Sequence, residues 1–153
     1  MRVASKLADI LAQTWNGRKI DMAFVDSGFG GPIVDRMHQL GHLNVIEVSF
    51  GASPPDDRHY LNMRAWMWGR VKDWLKFGSI AKDEALETDL TGPGYHHDKA
   101  DRLVLESKDD MERRGLASPD DADALALTFA AVVAPPPPPS PPPEPGNEYS
   151  WMG

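Results

Sequence analysis

The sequence predicts an α/β fold: a sheet with crossover helices. Three observations carry that prediction. Over the first fifty residues, helical patterns and short apolar runs alternate in the order helix, strand, helix, strand, the signature of crossover-connected strands. The apolar runs are short and bounded by turn residues, as buried strands are. The chain has 153 residues, one domain's worth.

The elements follow in order. Residues 2–16 set Val3, Leu7, Ile10, Leu11 and Trp15 at helical spacing, and Asn16-Gly17 offers a left-handed residue to end that helix. "IDMAFVD" (20–26) reads as a buried strand ending on Asp26. "SGFGG" follows, and Pro32 suits the first position of the next helix, whose apolar face is Ile33, Val34, Met37 and Leu40 and whose stop is Gly41. "LNVIEVSF" (43–50) is a second strand and "ASPPDDRH" a loop. Residues 60–78 form the strongest helix, with Trp66, Trp74 and Phe77 on one face beside Leu61 and Leu75. Residues 91–100 form a turn-rich loop, and 102–107 a short strand. "KDDMERRG" is a short charged helix stopped by Gly115. Ser118 caps the last helix, with Pro119 at its first position and an end near Ala131.

Residues 135–153, "PPPPPSPPPEPGNEYSWMG", stand apart. Eight prolines in the first nine positions exclude helix and central strand, which predicts an extended polyproline-type tail, a disordered spacer. The expected organisation is therefore a folded domain over 1–134 and a proline-rich tail over 135–153. The absence of cysteine excludes disulfides and thiolate metal sites, so any metal must be held by oxygen or imidazole ligands. A net charge of −7 argues against a chain that binds nucleic acid by charge over its whole surface, although it leaves room for a local basic stripe. No apolar run reaches the length of a membrane span, and the charged N-terminal residues do not make a secretory signal, so a cytoplasmic protein is expected.

The carboxylates carry the chemical interest. Asp26 ends a strand, and functional groups in open α/β sheets gather beyond such ends. Glycines 28, 30 and 31 follow it, but their spacing fits neither GxGxxG nor GxxxxGK[ST]. Taken alone, Asp26 is a helix cap and "SGFGG" an ordinary strand-to-helix turn. Asp120, Asp121 and Asp123 crowd the first turn of the last helix, and Asp120 and Asp123, three apart, share a face. One acid satisfies the helix dipole, worth about 0.3–1 kcal/mol. Three repel one another unless a cation sits among them. On the helix alone, capping and metal binding stand level. Together with Asp26, the pair could converge on hard divalent cations such as Mg²⁺, which take oxygen ligands and water.

Three stretches carry a family likeness: "VDSGFGGPIVDRMHQLG", "YLNMRAWMWGRVKDWLKFGSI" and "LVLESKDDMERRGLASPDDADALALTFA". From about residue 18 to 131 the chain resembles the C-terminal nuclease domain of tailed-phage terminase large subunits. The resemblance implies a ribonuclease H-like mixed sheet with flanking helices. It also implies an endonuclease that hydrolyses DNA phosphodiesters with two divalent ions, Mg²⁺ or Mn²⁺. The family's strand-end acid falls on Asp26, and its late-helix acid on Asp120 with Asp123 as companion or replacement. These three are the expected metal ligands. Lys108, just after a strand end and before the acidic helix, is the expected fourth catalytic residue, either on the scissile phosphate or orienting a carboxylate. The resemblance further implies double-stranded DNA, the rest of the large subunit, the small terminase subunit and the portal as partners, and the cytoplasm of the bacterial host as location.

The chain also departs from that pattern. The family's first metal-binding aspartate lies on an opening strand, whereas only Asp9 and Asp21 precede Asp26. Asp9 falls on a predicted helix and Asp21 opens Asp26's own strand. No Walker A sequence is present. The expectation is a domain incomplete at its N-terminus, from a truncated, split or decayed prophage gene. Its alternative function is an inactive remnant, or a split subunit that completes its fold with a partner chain. A weaker possibility is an unrelated Mg²⁺-binding α/β phosphotransfer protein. Among the other residues, Arg64, Arg70, Lys72, Lys76, Arg113 and Arg114 are candidates for DNA phosphates, though each is more simply a solvated charge. His96, His97 and Asp98 lack zinc-motif spacing and read as a surface loop. Trp66 and Trp74 read as packing residues.

Overall fold

The computed structural model describes residues 2–133; the proline-rich tail expected over 135–153 lies outside the described residues. The elements run α1 (Arg2–Ala12), β1 (Thr14–Trp15), β2 (Arg18–Lys19), β3 (Ala23–Asp26), α2 (Ser27–Gln39), β4 (Val45–Val48), α3 (Met63–Trp74), α4 (Glu84–Thr91), β5 (Tyr95–His97), β6 (Leu103–Leu105), α5 (Lys108–Arg113) and α6 (Asp120–Leu127). Strands β3 and β4 pair in parallel, Ala23 opposite Val45 through Asp26 opposite Val48, with α2 as the crossover. This is the βαβ alternation that the sequence predicts.

The parallel ribbon separates two apolar clusters. On one side Ala4, Leu11, Val34, Met37 and Val45 are buried, with Ala23 and Val25 packed against them from β3. On the other, Val48, Met67, Val71 and Ala126 are buried, and Phe24 packs there with Trp66, Trp68 and Phe129. Successive strand residues face opposite ways. Asp26 therefore shares its face with Phe24, the side covered by α3 and α6.

Local chemistry moved several boundaries. Asn16 and Gly17 both have positive φ, 49° and 78°. They form the two-residue turn of the β1–β2 hairpin rather than a helix stop, which is the turn an Asn-Gly pair favours. Helix α2 begins at Ser27, directly after the strand, and carries Pro32 inside it rather than at its start. Gly30 explains how: a Cβ there would lie 2.5 Å from Val25 Cγ1, so only glycine lets α2 sit this close to β3. In α3 the buried face is Arg64, Ala65, Met67 and Val71, while Phe77, expected on it, is 83% exposed beyond the helix end. Helix α4 falls in a stretch where no element was expected. The predicted loop at 91–100 contains β5, antiparallel to β6, with His96 and His97 exposed on it. Helix α6 ends at Leu127, four residues short of the expected Ala131. No described helix is long and apolar enough to cross a membrane.

Candidate metal and nuclease site

Helix α6 delivers its acids to different places. Asp123 is buried, 4% exposed, and a buried carboxylate must be paired. Helix α3 supplies the partners. Arg64 Nε donates to Asp123 Oδ1 at 2.9 Å, and Trp68 Nε1 donates to the same oxygen at 2.8 Å. Arg64 Nη1 donates to the Glu106 carbonyl at 2.8 Å, tying α3 to the residue after β6. The guanidinium carbon lies 5.7 Å from the centre of the Trp68 ring. Arg64, read from the sequence as a solvated charge with a DNA phosphate as the alternative, is 8% exposed and serves as a buried counter-ion instead.

The other oxygen of Asp123 has a different fate. Lys108 Nζ lies 3.0 Å from Oδ2, an ion-pair distance, yet Oδ2 is buried with no aligned hydrogen-bond donor. The same ammonium donates to Asp120 Oδ1 at 3.1 Å. One cation thus lies between two carboxylates of one helix face. Asp120 is the open member, its side chain 77% exposed. The Ser118 hydroxyl, 2.6 Å away, and then Lys108 hold its carboxyl below the usual carboxylate range. Burial works against charge on Lys108, but pairing with the Asp123 and Asp120 carboxylates outweighs it and its ammonium titrates above the ordinary lysine value.

Capping at α6 also departs from expectation. Pro119, not Ser118, occupies the cap position and makes no side-chain cap bond. Asp89 of α4 caps the helix from outside, its Oδ2 accepting from the backbone N–H of Asp121 at 2.9 Å and of Ala122 at 3.4 Å. Asp120 and Asp123 are therefore not needed as caps. Asp26 does cap: its Oδ1 accepts from Gly28 N at 3.2 Å. Among the described residues, no three His, Asp or Glu side chains gather closely enough to hold a metal ion. Among the described residues, the structure brings Asp120, Asp123 and Lys108 together but does not gather Asp26, the third expected ligand, into a metal-binding group with them.

Two observations favour one divalent ion at the Asp120–Asp123 pair. A cationic ammonium already lies between the two carboxylates, and a buried carboxylate oxygen there has no aligned donor. Both donors are hard oxygens, the type Mg²⁺ and Mn²⁺ take. Two carboxylates do not make the donor set of two ions.

No protein-family model and no curated protein matches the chain. Solved structures do. The nuclease domain of the large terminase subunit gp2 of bacterial virus Sf6 superposes with a TM-score of 0.62 at 20% identity, over 74% of this chain and 66% of that one. The fold is that of a terminase nuclease domain. A lysine-to-alanine mutant of the Sf6 domain solved with manganese gives 0.62 at 19% identity, over 73% and 66% of the two chains. Another solved with calcium gives 0.61 at 19%, over the same shares. The chain spans just under two thirds of the length of these terminase nuclease domains. The mixed α/β architecture expected from the sequence is present, but among the described residues its strands pair as three two-stranded sheets, β1–β2, β3–β4 and β5–β6, and not as the one mixed sheet expected.

Sequence reasoning missed Trp68 and Asp89 and misassigned Arg64. Asp89 lies in a stretch where no element was expected. Trp68, four residues after Arg64 and three before Val71, shares their face of α3, and that spacing together with its indole N–H is the signal that could have found it.

Proposed function

We propose that the chain is a metal-dependent endonuclease domain of a phage DNA-packaging terminase. The observation that carries this reading is the lysine-bridged pair Asp120–Asp123, with one buried oxygen lacking an aligned donor, in a fold shared with terminase nuclease domains. Asp120 and Asp123 would hold Mg²⁺ or Mn²⁺, with Asp26 the strand-end carboxylate on the face covered by α6. When bound, such an ion would supply Lewis-acid activation of a water beside a phosphodiester. Asp123 is fixed by burial, whereas Asp120 is free to turn toward an incoming ligand. Lys108 keeps its ammonium at neutral pH and is exposed enough, at 42% of its side chain, to move from the acids to a scissile phosphate. Double-stranded DNA is the substrate of this reading. The rest of a terminase large subunit, its small subunit and the portal are the partners, and the host cytoplasm the setting.

A second reading is a remnant or split subunit that completes its site with another chain. It is supported by the absence of a third acid beside Asp120 and Asp123 among the described residues. Cleavage of supercoiled plasmid in Mn²⁺, beside an Asp26→Ala/Asp120→Ala control, separates the two. Nicking that disappears in the control supports the nuclease. A folded wild-type chain that leaves the plasmid intact supports the second reading.

A further inference from the structure

We propose that Arg64 and Trp68 are positioning residues that select which oxygen of Asp123 is offered to a divalent cation. This inference rests on the nuclease reading above and deepens it. Both side chains approach the same oxygen, Oδ1, at 2.9 and 2.8 Å. Two donors on one oxygen leave Oδ2, which faces the Lys108 ammonium at 3.0 Å, as the one able to bind a divalent cation once that ammonium moves, so Asp123 is a one-oxygen ligand. Arg64 is itself held by the Glu106 carbonyl at 2.8 Å, and Trp68 lies against its guanidinium. Asp123 Oδ1 is therefore held by two donors from the same helix, α3. Asp120, three residues earlier, has no equivalent clamp: its bonds are to the exposed Lys108 and to Ser118. The pair thus combines one fixed and one adjustable carboxylate. That arrangement suits a cation that must be both anchored and shared with a substrate oxygen. Groups that orient a metal ligand typically change metal affinity by about 10–100-fold when removed.

The test is Mn²⁺ binding followed by electron paramagnetic resonance, at a temperature where each variant is shown to be folded. Trp68→Phe keeps the ring and removes the N–H donor. Arg64→Lys keeps the charge and removes the fork. Trp66→Phe, on the same helix and half-buried against the same apolar cluster, makes the matching change at a ring that does not touch Asp123. The expected result is Mn²⁺ affinity weakened about 10-fold or more in Trp68→Phe and Arg64→Lys, with Trp66→Phe like the wild type. Wild-type affinity in both Trp68→Phe and Arg64→Lys would overturn the inference while leaving the nuclease reading intact. Equal weakening in all three variants would also overturn it, as a packing effect. No Mn²⁺ binding by the wild type would overturn both the inference and the reading beneath it.

Discussion

Trp68 and Asp123 stand 55 residues apart and meet through one hydrogen bond, indole Nε1 to carboxylate Oδ1 at 2.8 Å. Arg64, 59 residues from Asp123, donates to the same oxygen, so α3 holds the acidic turn of α6 through two bonds. It places a charge inside the apolar layer between the two helices, where Met67, Val71 and Ala126 are buried. A charge in such a place is held by its partners, and losing one partner strands the other.

Removal of the carboxylate strands Arg64. Asp123→Ala should lower stability by about 3–5 kcal/mol, the range for breaking a buried ion pair on one side. Urea unfolding at neutral pH measures it. A loss under about 1 kcal/mol, as exposed ion pairs give, would mean the pair contributes no more than a surface contact.

Asp89 is the cap of α6 although it belongs to α4. Asp89→Ala should cost about 1 kcal/mol, and more than Ser118→Ala. Chemical denaturation of the two variants side by side decides the ranking. The reverse order would return the cap to Ser118.

The packing at Gly30 admits no side chain. Gly30→Ala should destabilise by about 1–3 kcal/mol, the usual cost of overpacking, because the new methyl meets Val25 Cγ1. Combining it with Val25→Ala should cost less than the sum of the two single changes. Strict additivity in unfolding free energy would show that the contact is not the cause.

The acid–lysine cluster carries a pH signature. Asp120 titrates below the ordinary carboxylate value, so its contribution is present above about pH 4 and lost as pH falls through the lower folded value. Lys108 titrates above the ordinary lysine value, so its contribution is present below about pH 10 and lost as pH rises through the higher folded value. The melting-temperature difference between wild type and Lys108→Met should therefore be positive and level between about pH 5 and 9. It should shrink toward both extremes. A difference that grows toward acid would contradict the assignment.

Much of this architecture was legible in the sequence because it is local. The β3–α2–β4 unit follows from apolar runs and their bounding turns, and the stop at Gly41 from its positive φ of 87°. The pairing of Asp120 with Asp123 follows from helical spacing, and the contact with Lys108 from its place before the acidic helix. What was not legible depends on distant partners. Helical spacing places Arg64 on a face but does not say that a carboxylate 59 residues later will meet it there. Asp89 caps a helix that is not its own, so no local cap pattern marks it. Asn16-Gly17 fits a helix stop and a hairpin turn equally, and only the pairing of Thr14 with Lys19 separates them. Pro32 suits a helix start, but Gly30 lets the helix begin earlier by packing on Val25.

Asp120 and Asp123 are proposed to hold a divalent cation in a fold shared with terminase nuclease domains. An anomalous difference map from crystals soaked in Mn²⁺ tests it most directly. A peak is expected bonded to Asp123 Oδ2 and to Asp120, with the Lys108 ammonium moved away from the pair. A map with no peak at that pair, in crystals where the lysine bridge is intact, would contradict it.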